Sequence, residues 1–324
     1  MKPSLFKKTL LLLSAATILV VGCKKEDPVP TPTPTPNVPG TSNLSSLFDD
    51  NISNKTQTCT IDAATWNSIE GAEGTRVFIP ANSFQDASGT PVSGSVEIKM
   101  VEILTLADAI LTNKPTISNG SLLTTGGELN INAYQGGDVL GLTPGANITF
   151  TVPTTTPDNN MGLFLGTPGS NVDVNWVPSD SLGVTDSVIV AGDTTGSGGW
   201  SDYYWFDITG DSLGWINCDY FYGDPNPMTD LSIIPNSGHD ETNTMVWIHV
   251  ASANSVAPTW WDMTDSFDFN SIPETTNVTI VAISEISGQY YSAIVPITVS
   301  TNHVENITLN ATTLAQFETD LDNL

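Results

Sequence analysis

The residue types that carry most enzyme and metal chemistry are sparse in this chain. It has three histidines, His239, His249 and His303, and no two of them fall at the spacing of a helical zinc motif. His249 lies in an alternating run on the face opposite Val246, Ile248 and Val250, which predicts a histidine on the outer surface of a strand. His239-Asp240-Glu241 reads as a solvated loop. No Gly-x-Ser-x-Gly elbow is present to raise a nucleophilic serine. A phosphate loop would need a lysine, and no Lys or Arg follows Lys114. Aspartates and glutamates number 35, so some pair must fall at glycosidase spacing by chance, and such a pair carries no information. No catalytic set stands out.

The aromatics are the remaining candidates. Residues 200–222 hold Trp200, Tyr203, Tyr204, Trp205, Phe206, Trp215, Tyr220, Phe221 and Tyr222. Asp202, Asp207, Asp211 and Asp219 are interleaved, and Asp224 follows. Packing in the core and between domains is the first reading, because buried aromatics dominate core energetics. A sugar-binding face is the second. Trp200, Tyr203, Trp205, Trp215 and Tyr220 would lie under pyranose rings while carboxylates accept hydroxyl hydrogen bonds. A calcium site built from the aspartates is the third, without the Asp-x-Asp-x-Asp-Gly loop of a calcium hand. Calcium is the one cofactor that the sequence raises.

Three cysteines are present, Cys23, Cys59 and Cys218. If Cys23 is modified, two remain. Cys59 and Cys218 fall in different expected domains, so a disulfide would clamp the two together; the alternative is a pair of buried free thiols.

The elements that must position these residues are strands. Only 14% of residues are charged, and 26 Gly and 21 Pro punctuate the chain, a pattern of many strands and turns rather than long helices. With 324 residues there is room for two domains. The stretch 76–103 shows the local pattern. Val77, Phe78 and Ile79 are closed by Pro80; Gly89, Pro91 and Gly94 mark a loop; Val96, Ile98 and Met100 then alternate with Ser95, Glu97 and Lys99. Further strands are expected at 57–61, around Leu129, Ile131 and Ala133, at Ile148, Phe150 and Val152, at 246–250, 278–286, 290–299 and 305–309. Residues 44–50 suggest one helical turn, and Thr105 opens a short helix. Thr313 with Gln316 forms a capping box ahead of Leu314, Phe317, Leu321 and Leu324 on one helix face.

Charge excludes one class of partner. Nine basic residues face 35 acidic ones, a formal net charge of −26, which repels nucleic-acid phosphates and anionic membrane surfaces.

The N-terminus is a targeting segment. Lys2, Lys7 and Lys8 precede the apolar residues 9–21, which are too few for a stable membrane span. They end in Val20-Val21-Gly22-Cys23. This resembles a bacterial lipobox, in which cleavage leaves Cys23 as a lipidated first residue held in a membrane by its acyl chains. Lys24-Lys25-Glu26-Asp27 resembles the charged export signal of outward-facing Bacteroidetes lipoproteins. PVPTPTPTPNVPG, residues 28–40, favours extended polyproline II and reads as a stalk.

Two longer stretches resemble known families. IPANSF, then GTPVSGSVEIKMVEI and NKPTISNGSLLTTGGELNINAYQGGDVL, resemble a domain widespread in Bacteroidetes lipoproteins, similar to the ZU-five sandwich of ankyrins and netrin receptors. IPETTNVTIVAISEISGQYYSAIVPITV resembles the carboxypeptidase-regulatory or transthyretin-like sandwiches of secreted bacterial proteins. GWINCDYF is similar to a motif of the same lipoprotein family, with Tyr220 where a basic residue is usual. The clustered Asp-Ser and Asp-Thr pairs at 180–181, 186–187, 193–194 and 211–212 resemble the Bacteroidetes O-glycosylation motif. These resemblances imply place and fold, and leave chemistry open.

The expected fold is all-β: two antiparallel β-sandwich domains after a lipoprotein signal and Pro/Thr stalk, with a short C-terminal helix. The expected boundaries are a signal peptide at 1–22, lipidated Cys23 and linker to 43, a ZU-five-like sandwich at 44–178, a junction loop at 179–199, and a second sandwich at 200–324. The expected function is a non-enzymatic, lipid-anchored envelope protein of the outer membrane, facing outward, that serves as an interaction or structural module. Its partners would be the membrane, through the anchor, and a protein or glycan, not nucleic acid. The alternatives are a carbohydrate-binding accessory lipoprotein, and a calcium-binding protein or carboxylate-site enzyme.

Overall fold

Alternation along Ser95–Ile103 buries Val96, Ile98 and Met100 on one face of a sheet. The apolar row continues through Cys59 and Ile61 on one side and through Leu129, Ile131 and Ala133 on the other. A second sheet closes over it with Val77, Ile79, Ile148, Phe150, Val152, Phe206 and Ile208. These two sheets are the first sandwich. The computed structural model describes residues 20–22, 24–25, 44–155, 157–168, 174–182, 190–192, 203–210 and 213–324.

Among the described residues the smaller of the two sheets runs Val20–Gly22, Asn67–Glu70, Arg76–Ile79, Asn147–Pro153, Tyr203–Thr209, Val190–Gly192. The larger runs Asn175–Pro178, Gly162–Thr167, Gly214–Phe221, Ser121–Gln135, Ser95–Ile103, Gln57–Asp62, Lys24–Lys25. All pairings are antiparallel except that of Val20–Gly22.

The second sandwich repeats the plan. Trp260–Trp261, Phe267–Pro273, Met228–Pro235 and His303–Ile307 form one sheet. Ser255–Pro258, Thr244–Val250, Asn277–Ile286, Gln289–Thr298 and Asn310–Thr312 form the other. Leu231, Ile233, Phe267 and Phe269 meet Val246, Ile248, Ile280 and Ala282 between them.

The two inner sheets carry a second buried face, so their strands lose strict alternation: Val101, Ile103, Trp247, Val256, Val281 and Ile283 form a third core between the sandwiches. Three helices fill it. α1 (Leu44–Lys55) buries Leu44, Leu47 and Phe48, an i, i+3, i+4 stripe, and Phe48 meets Trp247 edge-on at 5.9 Å. In α2 (Leu106–Leu111), Thr105 caps the start by accepting from the Asp108 backbone N–H at 3.1 Å. In α3 (Leu314–Leu321), Thr313 accepts from Gln316 N–H at 3.2 Å and Phe317 and Leu321 are buried.

The all-β, sandwich-type fold is thus the one expected. The expected boundary at residue 200 is not where the strands divide. Tyr203–Thr209 and Gly214–Phe221 pair within the two sheets of the first sandwich, and the second sandwich starts with Met228–Pro235. The reason is register: Tyr204, Phe206 and Ile208 continue the apolar row of Ile148, Phe150 and Val152. α1 also extends to Lys55, where its side chain reaches Glu73 at 3.1 Å and Asp108 at 2.7 Å. Val20–Gly22 and Lys24–Lys25, expected in the leader and linker, are short edge strands here.

Candidate functional site

The expected aromatic face does not assemble as one surface. Tyr203 and Trp205 project from the outer face of the smaller first-sandwich sheet, ring centroids 6.4 Å apart and tilted by 41°. Trp215 lies on the larger sheet, in the layer between the sandwiches, edge-on to Trp176 at 6.4 Å. Tyr220 packs against the first core. Trp200 lies outside the described residues. Alternation explains the split, because neighbouring strands of this segment belong to opposite sheets of one sandwich.

The aspartates separate likewise. Asp207 accepts from Thr149 Oγ1 at 2.5 Å on the outer face. Asp219 is buried between the sandwiches. Asp224 accepts from Asn226 N–H at 2.8 Å and from the Tyr222 hydroxyl at 3.2 Å. Asp202 and Asp211 lie outside the described residues. Among the described residues no three His, Cys, Asp or Glu side chains group at metal-binding distance.

A polar layer between the sandwiches was not legible as a site. Glu128 and Asn217 are direct partners across paired strands, and Asp219 is partnered with Thr125. Gly126 and Gly127 oppose Cys218 alone, a bulge that resets the register. Asn217 Nδ2 donates to Asp219 Oδ2 at 2.6 Å, and Thr125 Oγ1 donates to Asn217 Oδ1 at 3.1 Å. Both Glu128 oxygens and Asp219 Oδ1 are buried without a hydrogen-bond partner. Burial, then the charge of Asp219, pushes the Glu128 carboxyl well above the usual range, against the pull of Lys114. Burial raises Asp219 well above it too, against hydrogen bonds from Thr125 and Asn217. Lys114 is buried with its Nζ 5.2 Å from the Trp215 ring centre. The sequence signals were the glycine pair inside a strand and a lone last lysine.

Hydrogen bonds tie the sandwiches across this layer. Thr116 N–H donates to Val256 O at 2.8 Å, and Val256 N–H returns to Thr116 Oγ1 at 2.8 Å. Asn254, in the left-handed region, donates from Nδ2 to Thr125 O at 2.8 Å. Beside these contacts a polar cleft of about 780 Å³ opens between Thr124, Asp158, Tyr204, Ser252 and Asn254, among others. The buried Tyr204 hydroxyl accepts from Asp158 N–H at 3.1 Å and holds its rim.

The histidine expectations change. His249 does oppose Val246, Ile248 and Val250, but the first sandwich covers that face, and it is 4% exposed with both ring nitrogens unpartnered. His239 is buried rather than solvated, its Nδ1 3.0 Å from Ser284 Oγ. His303 lies 3.2 Å from Glu305.

The cysteine expectations change as well. Cys59 and Cys218 lie in the same sandwich and the same sheet, with two strands between them. Three inter-strand steps separate them by roughly 14 Å, about twice the reach of a disulfide. Cys218 is a buried free thiol. Cys59 is disulfide-bonded, its partner lying outside the described residues, as does Cys23.

No protein-family model matches the chain, and no curated protein sequence matches it either.

Proposed function

We propose that this chain is a non-enzymatic, lipid-anchored protein of the outer membrane that presents two sandwiches as one body to an extracellular partner. The observation that carries this reading is the order of its N-terminus: a basic start, an apolar segment of signal length, Val-Val-Gly-Cys at 20–23, and a Pro/Thr stalk. The resemblance of residues 57–152 to a ZU-five-like lipoprotein domain, and of residues 272–299 to carboxypeptidase-regulatory sandwiches, supports it. So does the third core, since a buried layer between sandwiches suits rigid presentation.

Metabolic labelling with an alkyne palmitate tests the anchor. Label must appear on the chain and vanish in Cys23→Ala; label on neither ends the reading. Proteinase K added to intact cells tests orientation, and degradation without lysis is expected. Trypsin is a poor probe, because it has no site after Lys114.

A further inference from the structure

The outer face of the smaller first-sandwich sheet carries half-exposed rings that the fold does not need for its core. Arg76, Phe78, Thr149, Trp205 and Asp207 point outward from adjacent strands, with Thr151 on the same face but buried among them, and their neighbours Val77, Phe150 and Phe206 point in. Register sets them in rows. Phe78, Thr149 and Asp207 form one cross-strand row; Arg76, Thr151 and Trp205 form the next. Trp66 stacks on Phe78 at 6.1 Å and 27°, and Tyr203 flanks Trp205. Trp66 is 50% exposed and Trp205 44%.

Two aromatic pairs therefore stand on either side of a polar strip. The strip holds the Thr149–Asp207 hydrogen bond and the Arg76–Glu70 ion pair at 3.2 Å. Phe78 and Trp205 are two strands and two residues apart, about 12 Å from strand spacing and rise. A protein-docking patch keeps its apolar surface contiguous at the centre. Here apolar ring faces and hydrogen-bonding groups alternate over a few ångströms. A saccharide alternates in the same way, with C–H faces that lie on aromatic rings and hydroxyls that donate to carboxylates. The net charge of −26 opposes uronic or sulfated polymers.

We propose that this face binds a neutral oligosaccharide, with Trp205 and Trp66 as stacking residues at its two ends and Asp207 accepting a sugar hydroxyl. It supplies a ligand class to the interaction module proposed above and rests on that reading only for where the ligand is met. The site differs from the linear cluster at 200–222, since Trp66 and Phe78 enter and Trp215 and Tyr220 leave.

The test uses the purified full chain in detergent. Calorimetric titration with cellohexaose, maltohexaose, laminarihexaose and mannohexaose should give binding for at least one. Trp205→Ala and Trp66→Ala should each weaken it about tenfold or more, the loss of one stacking contact. Phe221→Ala, an exposed ring on the other sheet, should leave it unchanged, with near-ultraviolet dichroism confirming that each variant is folded. No binding to any of the four, binding that survives both tryptophan variants, or equal loss in Phe221→Ala would overturn the proposal. The titration does not depend on anchorage, so a failed palmitate label and a failed titration strike different claims.

Discussion

Glu128 stands directly opposite Asn217 in the large sheet of the first sandwich, on the face that the second sandwich covers, and both its carboxylate oxygens are buried without a partner. An ionised carboxylate there would lose its hydration, and the attraction of Lys114 is smaller than that loss, so the folded state keeps the proton. Asp219 does the same beside it.

Both folded-state values are raised, so the stability linked to these groups is complete below their ordinary values of 4.5 and 3.8 and declines as pH rises above them. The slope is at most about 1.4 kcal/mol per pH unit per group. Urea midpoints are expected to fall as pH rises above about 5. Glu128→Gln, which keeps the shape and removes the charge, should flatten that fall and raise stability at the alkaline end. An unchanged slope in the variant would mean that Glu128 is not held protonated.

His249 acts on the acid side. Burial lowers its pKa below 6.5, so its neutral form belongs to the fold, and the stability linked to it is lost as pH falls below that value. His249→Leu removes two orphaned nitrogens and should stabilise the protein near pH 5 by about 1–2 kcal/mol. A loss of stability at that pH would show that the ring has a partner.

The glycine pair in the bulge is held by packing. A Cβ on Gly126 would come within 2.5 Å of the Tyr204 ring, and Tyr204 is buried against the first core. Gly126→Ala is expected to cost about 1–3 kcal/mol in thermal or chemical unfolding. Gly223→Ala meets nothing within 4 Å and serves as the comparison. Equal effects at the two positions would refute the packing account.

Lipidation and a disulfide cannot share one sulfur. Cys59 is bridged in the full chain and Cys218 is free, and the sequence has only three cysteines, so a thioether on Cys23 would open that bridge and leave Cys59 and Cys218 both as thiols in the mature chain. Titration in denaturant should then count two thiols, and native titration should leave Cys218 unreacted because it is buried. A count of one, with Cys59 still bridged, would contradict the anchor.

The proposed cleavage before Cys23 would also remove the Val20–Gly22 strand, which among the described residues pairs at the sheet edge with Asn67–Glu70. Deleting residues 1–22 should therefore leave the far-ultraviolet spectrum intact and shift the melting midpoint by only a few degrees. Collapse of the fold on deletion would make the segment part of the mature domain.

The sequence by itself determined the local periods and what they imply. Val96, Ile98 and Met100 alternate with the polar Ser95, Glu97 and Lys99, and that pattern alone yields strands, inward faces and an all-β chain. Thr105 and Thr313 were readable as helix caps because a cap is a contact three residues long. The charge balance was readable because it needs no partner in space. Tertiary structure alone decided which polar faces meet water. Glu128 and His249 sit on faces that alternate correctly, yet another sheet covers both, and no local pattern encodes the arrival of a second sandwich. It also decided that Trp215 leaves Trp205 for the opposite sheet, while Trp66 and Phe78, over a hundred residues away in the chain, come to share its face. Strand pairing over long sequence separation sets these neighbours, because inter-strand hydrogen bonds join segments by register and burial rather than by order along the chain.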